Sequence, residues 1–394
     1  MILSVNNSCL SAVKEKERCA KMTKEEYLRA INDVIYLASC VVNNKSPDKE
    51  KTEKMDLDQL YQAANKHMLT AIVGYALKSA GISSEKFHQA WAKSIRKVTA
   101  MDIDKDLLFQ EMEKEKIWYM PLKGTVIKDL YPSIGLRQMS DFDILFNKTY
   151  AEKVKRIFLK LNFTCEHFGK GNHDVYFKQP VSNFEMHRTL FGENHKQEMF
   201  DYYHDIKPRL IKDKNNQYGY HFSNEDLYIY LTAHEYKHYA AGGTGLRSVL
   251  DTYVFWQKLG DQLDTEYIAA ETEKLGICNF EQQNRSLALH LFGNGKLTET
   301  ECEMLEYIIF SGTYGTLQHG IENKVKEYDN ISKGKRLFII NKLFMSMEQV
   351  KAYYPFYYKH KILLPVLFFY RIGKALTVSR KKTKSTLKIL KKLK

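Results

Sequence analysis

Residues 117 to 190 break the rhythm of the chain around them. From 21 to 115, and again from about 201 onward, apolar residues return at three- and four-residue spacings, the pattern of helices with one buried face. Between 117 and 190 they fall in short runs divided by Gly, Pro and Asn, and short alternating runs of that kind are strands. A chain patterned this way is expected to build an α+β fold. A small mixed sheet at 116–200 would sit between a helical region at 1–115 and another at 201–370, followed by a tail at 371–394. No internal repeat of fixed period runs through the 394 residues.

The elements can be placed more closely. Residues 117–122 (IWYMPL) read as a strand, 124–131 (GTVIKDLY) as a short helix entered at a glycine, and 141–146 (DFDILF) as a strand of strict alternation. Residues 151–161 read as a helix with Val154, Ile157, Phe158 and Leu161 on one face. Residues 174–178 and 183–190 read as two strands joined across Gln179, Pro180, Val181 and Ser182 in a hairpin-type connection. Upstream, Leu57, Leu60, Ala64, Met68, Ala71 and Tyr75 fit one helix that stops near Gly81, and a second long helix follows Ser83 and Ser84 to about Lys116.

A net charge of +13 suggests nucleic acid, an anionic membrane or a polyanionic substrate. Its position narrows the choice: ten basic residues and no acidic one lie between Arg371 and Lys394, leaving only +3 for the rest of the chain. In the tail, Leu387, Leu390 and Leu393 alternate with lysines as in a basic amphipathic helix, a pattern suited to an anionic membrane surface. The longest apolar stretch, Ile362 to Tyr370, is interrupted by Pro365 and falls short of the roughly 20 residues of a bilayer-spanning helix. The six scattered cysteines show no CxxC pair, and the first residues show no secretory pattern. The expectation is a cytoplasmic protein with reduced thiols, peripheral at the inner membrane face if the tail binds lipid.

Residues two apart in a strand share a face, so Asp141 and Asp143 project together while Phe142, Ile144 and Phe146 line the other side. Two carboxylates this close favour a bound divalent cation, a raised pKa or open solvent, and the pair alone leaves all three open. Glu185, His187 and Thr189 share a face for the same reason, and a third carboxylate on a neighbouring strand would complete an oxygen-rich site of the kind Mg²⁺ prefers. Upstream, Leu122-Lys123-Gly124-Thr125 puts a glycine at a strand-to-helix junction, where backbone amides can hold a phosphate chain and Lys123 adds a point charge.

The run from Pro121 to Phe146 resembles the signature of a bacterial family of uncharacterised nucleotidyltransferases in the polymerase-beta-like superfamily. That signature reads Leu-Lys-Gly, a short helix, Tyr-Pro, an Arg, then Asp-x-Asp-x-Leu. It corresponds here to Leu122, Lys123, Gly124, Tyr131, Pro132, Arg137, Asp141, Asp143 and Leu145. The resemblance continues at Glu185, His187 and Leu190, with Glu where Asp is commoner, and at His234, Leu246, Arg247 and Asp251 on a downstream helix. It departs at Gly124-Thr125, where the superfamily has Gly-Ser or Gly-Gly.

By this resemblance Asp141, Asp143 and Glu185 are the catalytic ligands of two Mg²⁺ (or Mn²⁺) ions. Lys123, Gly124, Thr125 and Arg137 hold the nucleotide phosphates, and His187, His234, Arg247 and Asp251 lie on the substrate side. The implied reaction moves a nucleoside monophosphate from an NTP, ATP foremost, to a hydroxyl of a small molecule, sugar, protein or RNA, with pyrophosphate leaving.

Two other readings compete. One is a catalytically silent nucleotide-binding module of the same fold, against which the three retained carboxylates argue. The other is a zinc metalloprotease, since His234-Glu235-Tyr236-Lys237-His238 matches HExxH. That class needs a third ligand, for which Asp251 is the only nearby candidate. The simpler reading puts His234 and His238 on a partly buried helix face with Leu227, Tyr230 and Leu231. The remaining histidines, His167, His173 and His195 among them, read as surface or hydrogen-bonding residues.

Overall fold

The computed structural model describes residues 22–393 apart from 170, 193–195, 327 and 329, so Cys9, Cys19 and His195 lie outside the described residues. The chain opens with helices α1 (Lys24–Val42), α2 (Lys49–Glu53), α3 (Leu57–Lys66), α4 (Thr70–Ser79) and α5 (Glu85–Lys114). Thr23 starts α1 with a reciprocal cap: its hydroxyl accepts from Glu26 N, and the Glu26 carboxylate accepts from Thr23 N. The single helix expected over 57–80 is two. It breaks at Met68, whose φ is +56°, beside His67, which is fully buried between distant partners. Leu246 N donates to His67 Nδ1 at 3.1 Å, and the Tyr27 hydroxyl lies 2.9 Å from Nε2. A tertiary contact overrides the local helical pattern there.

The sheet comprises β1 (Tyr119–Leu122), β2 (Phe142–Phe146), β3 (Thr164–His167), β4 (His173–Lys178) and β5 (Ser182–His187), in spatial order β1-β2-β5-β4-β3. Only β2 and β5 run parallel, with Phe142 opposite Phe184, Asp143 opposite Glu185 and Ile144 opposite Met186. Period-two alternation then sorts the side chains. Phe142, Ile144, Phe146, Phe184 and Met186 pack against Met101, Leu108 and Met112 of α5 and against the helix between β2 and β3. The opposite face carries Asp143, Leu145, Glu185 and His187.

Between β1 and β2 lies α6 (Gly124–Ile127), continued by a 3-10 turn over Lys128–Leu130, where the sequence suggested one helix. The segment after β2 forms α7 (Ala151–Lys160), and its Phe158 stacks on Tyr176 with ring centroids 3.9 Å apart, a contact worth about 0.5–1.5 kcal/mol beyond area burial. Asp104, buried on α5, accepts from Lys178 Nζ at 2.7 Å and Ser182 Oγ at 2.6 Å, pinning the turn end of the β4–β5 hairpin.

Helices α8 (Gln197–Tyr203), α9 (Asn224–Ala241), α10 (Leu246–Leu259), α11 (Thr265–Lys274), α12 (Cys278–Gly293) and α13 (Glu299–Ser311) follow, with a two-stranded ribbon of β6 (Ile211–Lys212) and β7 (Tyr220–His221) after α8. One hydrophobic cluster joins Ile31, Val34 and Leu37 of α1 to Leu250 and Val254 of α10 and Leu287 of α12. Hydrogen bonds cross the same seam: Ser39 Oγ donates to Phe292 O at 2.7 Å, and the Tyr253 hydroxyl donates to Asn43 Oδ1 at 2.6 Å.

The chain ends in α14 (Leu317–Lys326), α15 (Ile331–Leu343), α16 (Met347–Tyr353), α17 (Pro355–Lys359), α18 (Leu364–Leu376) and α19 (Arg380–Lys392). Val366, Phe369, Tyr370 and Leu376 are exposed along α18 while Leu367 is buried. Among the described residues no single helix is long and apolar enough to cross a membrane. Lys361–Leu376 and Arg380–Lys392 satisfy the length and composition only as a pair, and they meet at a bend of 86°.

Candidate active site

At the end of β1 the chain turns through Lys123, whose φ of +49° and ψ of −125° suit glycine better than a residue with a side chain. Such a backbone costs on the order of 1–3 kcal/mol and persists where its surroundings over-determine it. The turn carries the Lys123 ammonium back over the sheet, where Nζ donates to Asp143 Oδ1 at 2.6 Å. Thr125 ties the same turn to β2, its hydroxyl accepting from Asp143 N at 3.0 Å. Gly124 lies under Arg137, and a Cβ there would collide with the Arg137 Nη1 and the Met139 methyl. Arg137 is held from the other side: its Nε and Nη2 donate to the two carboxylate oxygens of Asp251 at 2.8 and 2.7 Å, and the Tyr131 hydroxyl adds a third bond at 2.7 Å. This bidentate pair fastens the Lys123–Gly124 turn region to α10.

Asp143 is 5% exposed and also accepts from His187 Nε2 at 2.8 Å. Burial alone would raise its pKa, but Lys123 and His187 hold the carboxyl well below the usual range. Asp141, one residue before β2, moves the other way. Burial and the charges of Asp143 and Glu185 push it up, and Lys123 and Arg247 do not offset them. Glu185 is raised by burial and by Asp143. His187 is pushed down to about 4, first by burial and then by Lys123, so its imidazole is neutral at physiological pH.

Helices α9 and α10 form the opposite wall of a cleft of about 1930 Å³. Arg247 Nη1 donates to Gln138 O at 3.0 Å. Lys237 is pushed down to about 8 by burial and by Lys123, against the pull of Asp143 and Glu185. His234 titrates well below its ordinary range, chiefly through burial. The structure thus brings Lys123, Gly124, Asp141, Asp143, Glu185 and His187 together and faces them with His234 and Arg247. Thr125 is turned to the backbone of β2, and Arg137 and Asp251 are turned to each other. Two cleft residues beside the carboxylates have no site role in the sequence: His173, expected as a surface or hydrogen-bonding residue, and Lys237. Lys237 carried a signal, since it lies three residues after His234 on one helix face.

The HExxH residues do not converge. His234 and His238 approach to 3.3 Å between their Nε2 atoms. Glu235, however, is buried against α12, accepting from Asn284 Nδ2 at 3.0 Å, and Asp251, the candidate third ligand, is bound by Arg137.

A small mixed sheet that presents clustered carboxylates beside a cationic strand-to-helix turn has the architecture of a nucleotidyl-transfer fold. The chain belongs to a family described as uncharacterised nucleotidyltransferases, whose profile matches residues 53–293, well over half its length and every residue of the cluster just described. No curated protein and no solved structure matches it.

Proposed function

We propose that the protein transfers a nucleoside monophosphate from an NTP, ATP being the first to test, to the hydroxyl of an acceptor, with divalent cations at Asp141, Asp143 and Glu185. The observation that carries this reading is a charge imbalance. Three carboxylates gather at one wall of the cleft, the Lys123 ammonium goes to Asp143, and the pKa values of Asp141 and Glu185 rise. Such a donor set fits a hard divalent cation. Bound there, Mg²⁺ or Mn²⁺ would supply the missing positive charge and polarise the phosphate under attack.

The chain's own groups do the rest. Lys123 can pass its charge from Asp143 to the β- and γ-phosphates, and Gly124 lets a phosphate chain approach the backbone. Arg247 and Lys237, from the far wall, stabilise developing negative charge. Glu185 would complete the acceptor-side cation site, and a cation held there would help the acceptor hydroxyl lose its proton. Each α-labelled NTP, incubated with the protein, Mg²⁺ or Mn²⁺ and cell extract, should label a protein, RNA, sugar or small-molecule acceptor. Asp143→Asn should abolish the label, and full transfer by a folded Asp143→Asn chain would overturn the assignment. A silent nucleotide-binding module would instead bind ATP and Mg²⁺ in calorimetry and label no acceptor.

The C-terminal helices support peripheral membrane attachment as a second part of the reading. The exposed apolar residues of α18 lie in and just before a run of ten basic and no acidic residues over 371–394, the combination that holds a helix in an anionic interface. Leu390, expected on the membrane-facing stripe of the tail, is instead buried against Ile321 and Val325 of α14. Flotation with anionic liposomes should require residues 379–394, and equal flotation after their deletion would refute it.

A further inference from the structure

His173 opens β4 and pairs directly with His187 of β5, while Glu185 lies two residues before His187. Strand parity therefore brings all three side chains to the cleft face of the sheet. Their ligand atoms lie within 4.8 Å of one another, and Glu185 Oε2 is 3.6 Å from His173 Nε2 and 3.8 Å from His187 Nε2. Donors so spaced surround a point little more than about 2 Å from each, close to the bond lengths of about 2.0–2.2 Å that imidazole nitrogen and carboxylate oxygen make to a divalent transition ion.

We propose that His173, Glu185 and His187 bind one divalent transition ion, of the zinc or manganese class, on the acceptor side of the cleft. This deepens the nucleotidyl-transfer reading and rests on it only in taking Glu185 as a cation ligand. The donor set argues for the ion's class. Mg²⁺ prefers an all-oxygen shell, whereas imidazole suits transition ions. Asp141 and Asp143 offer oxygen alone, so the two sides of the cleft differ in the cation they favour. The surroundings suit a site with open coordination positions: the His187 side chain is 7% exposed, but those of Glu185 and His173 keep 24% and 37% of their surface in solvent. To coordinate, His187 Nε2 would exchange its hydrogen bond to Asp143 for the ion, while Lys123 stays on Asp143.

The test uses the purified full-length chain without nucleotide. Equilibrium dialysis against ZnCl₂ in excess MgCl₂ should give one tightly held Zn²⁺ per chain. Pulsed EPR of the chain loaded with MnCl₂ should show couplings to imidazole ¹⁴N. His173→Ala, a change at a partly exposed position that leaves the core intact, should weaken Zn²⁺ binding by at least roughly 10–100-fold, the loss that removing even an outer partner of a metal ligand produces. It should also reduce the ¹⁴N signal. His238→Ala and Asp141→Asn should leave both unchanged.

Absence of any ¹⁴N coupling when every cation site is saturated with Mn²⁺, or Zn²⁺ binding untouched in His173→Ala, would overturn the site. Loss in His238→Ala with retention in His173→Ala would place the ion at the HExxH pair and overturn it as well. Transfer that fails while the ¹⁴N-coupled ion persists would refute the nucleotidyl-transfer reading alone. Transfer with Mg²⁺ and no imidazole coupling would refute this inference alone.

Discussion

Replacing Glu235 by Gln should stabilise the protein at alkaline pH and leave it nearly unchanged in acid. Glu235 is 8% exposed on α9. Its Oε2 accepts from Asn284 Nδ2 at 3.0 Å, its Oε1 has no hydrogen-bond partner, and the neighbouring Ser248 hydroxyl donates to Gly245 O instead. Burial pushes its carboxyl from an ordinary 4.5 up to about 7. Between those values the native chain keeps a proton that the unfolded chain releases, so stability falls as pH rises through the interval and is lowest above about pH 7. At about 1.4 kcal/mol per tenfold, the displacement amounts to roughly 3 kcal/mol.

Gln is neutral at every pH and keeps an acceptor for Asn284, so Glu235→Gln should recover on the order of 3 kcal/mol at pH 8 and little at pH 4.5. Urea midpoints or thermal melts at the two pH values measure it. Equal shifts at both, or destabilisation at pH 8, would refute the reasoning. The same variant should retain nucleotidyl transfer, since Glu235 is turned to Asn284 and away from the carboxylate cluster.

Other expectations follow from the turn at Lys123 and its anchor. Gly124→Ala should weaken nucleotide binding, because its Cβ must displace the Arg137 guanidinium that Asp251 holds in place. Wild-type affinity for ATP in calorimetry would show that this close approach is unimportant. Lys123→Gly should be more stable in urea than Lys123→Ala by about 1 kcal/mol, since only glycine relaxes at that φ and ψ; identical midpoints would show that the turn is unstrained. Arg137→Met should cost about 3–5 kcal/mol by leaving Asp251 largely unpaired. The double variant with Asp251→Leu should cost far less than the sum of the two single changes, and additive costs would show that the pair is not coupled.

Much of the sheet was legible because strand parity is a local property. The alternation in DFDILF alone separates Phe142, Ile144 and Phe146 from Asp143, and the β4–β5 hairpin is visible around Gln179 and Pro180. His173 falls one residue outside the strand that the pattern predicts from Asp174. Pairing Lys178 with Ser182 and counting back along the hairpin sets 173 opposite 187. The strand β3 lacked a signal, since Thr164, Glu166 and His167 at a sheet edge are exposed and carry no apolar alternation. Other features depend on residues far apart in the chain. The break at Met68 follows from Leu246 and Tyr27 reaching His67, and the partnership of Arg137 with Asp251 spans 114 positions. Sequence order aligned both of those residues with the family motif, but it could not show that they bind each other.

The seam between α1 and α12 bears on how the chain is made. Ser39 and Phe292 are bonded across 253 positions, and at roughly 5–20 residues per second the ribosome needs on the order of 10–50 s to synthesise the interval. Throughout that time α1 has α3 and α4 packed against it but lacks the part of its cover that α10 and α12 supply in the finished protein. The three carboxylates of the sheet likewise emerge before α9 and α10 exist to close the cleft. A nascent chain therefore carries a partly uncovered α1 and an unfinished cleft until translation has passed α12.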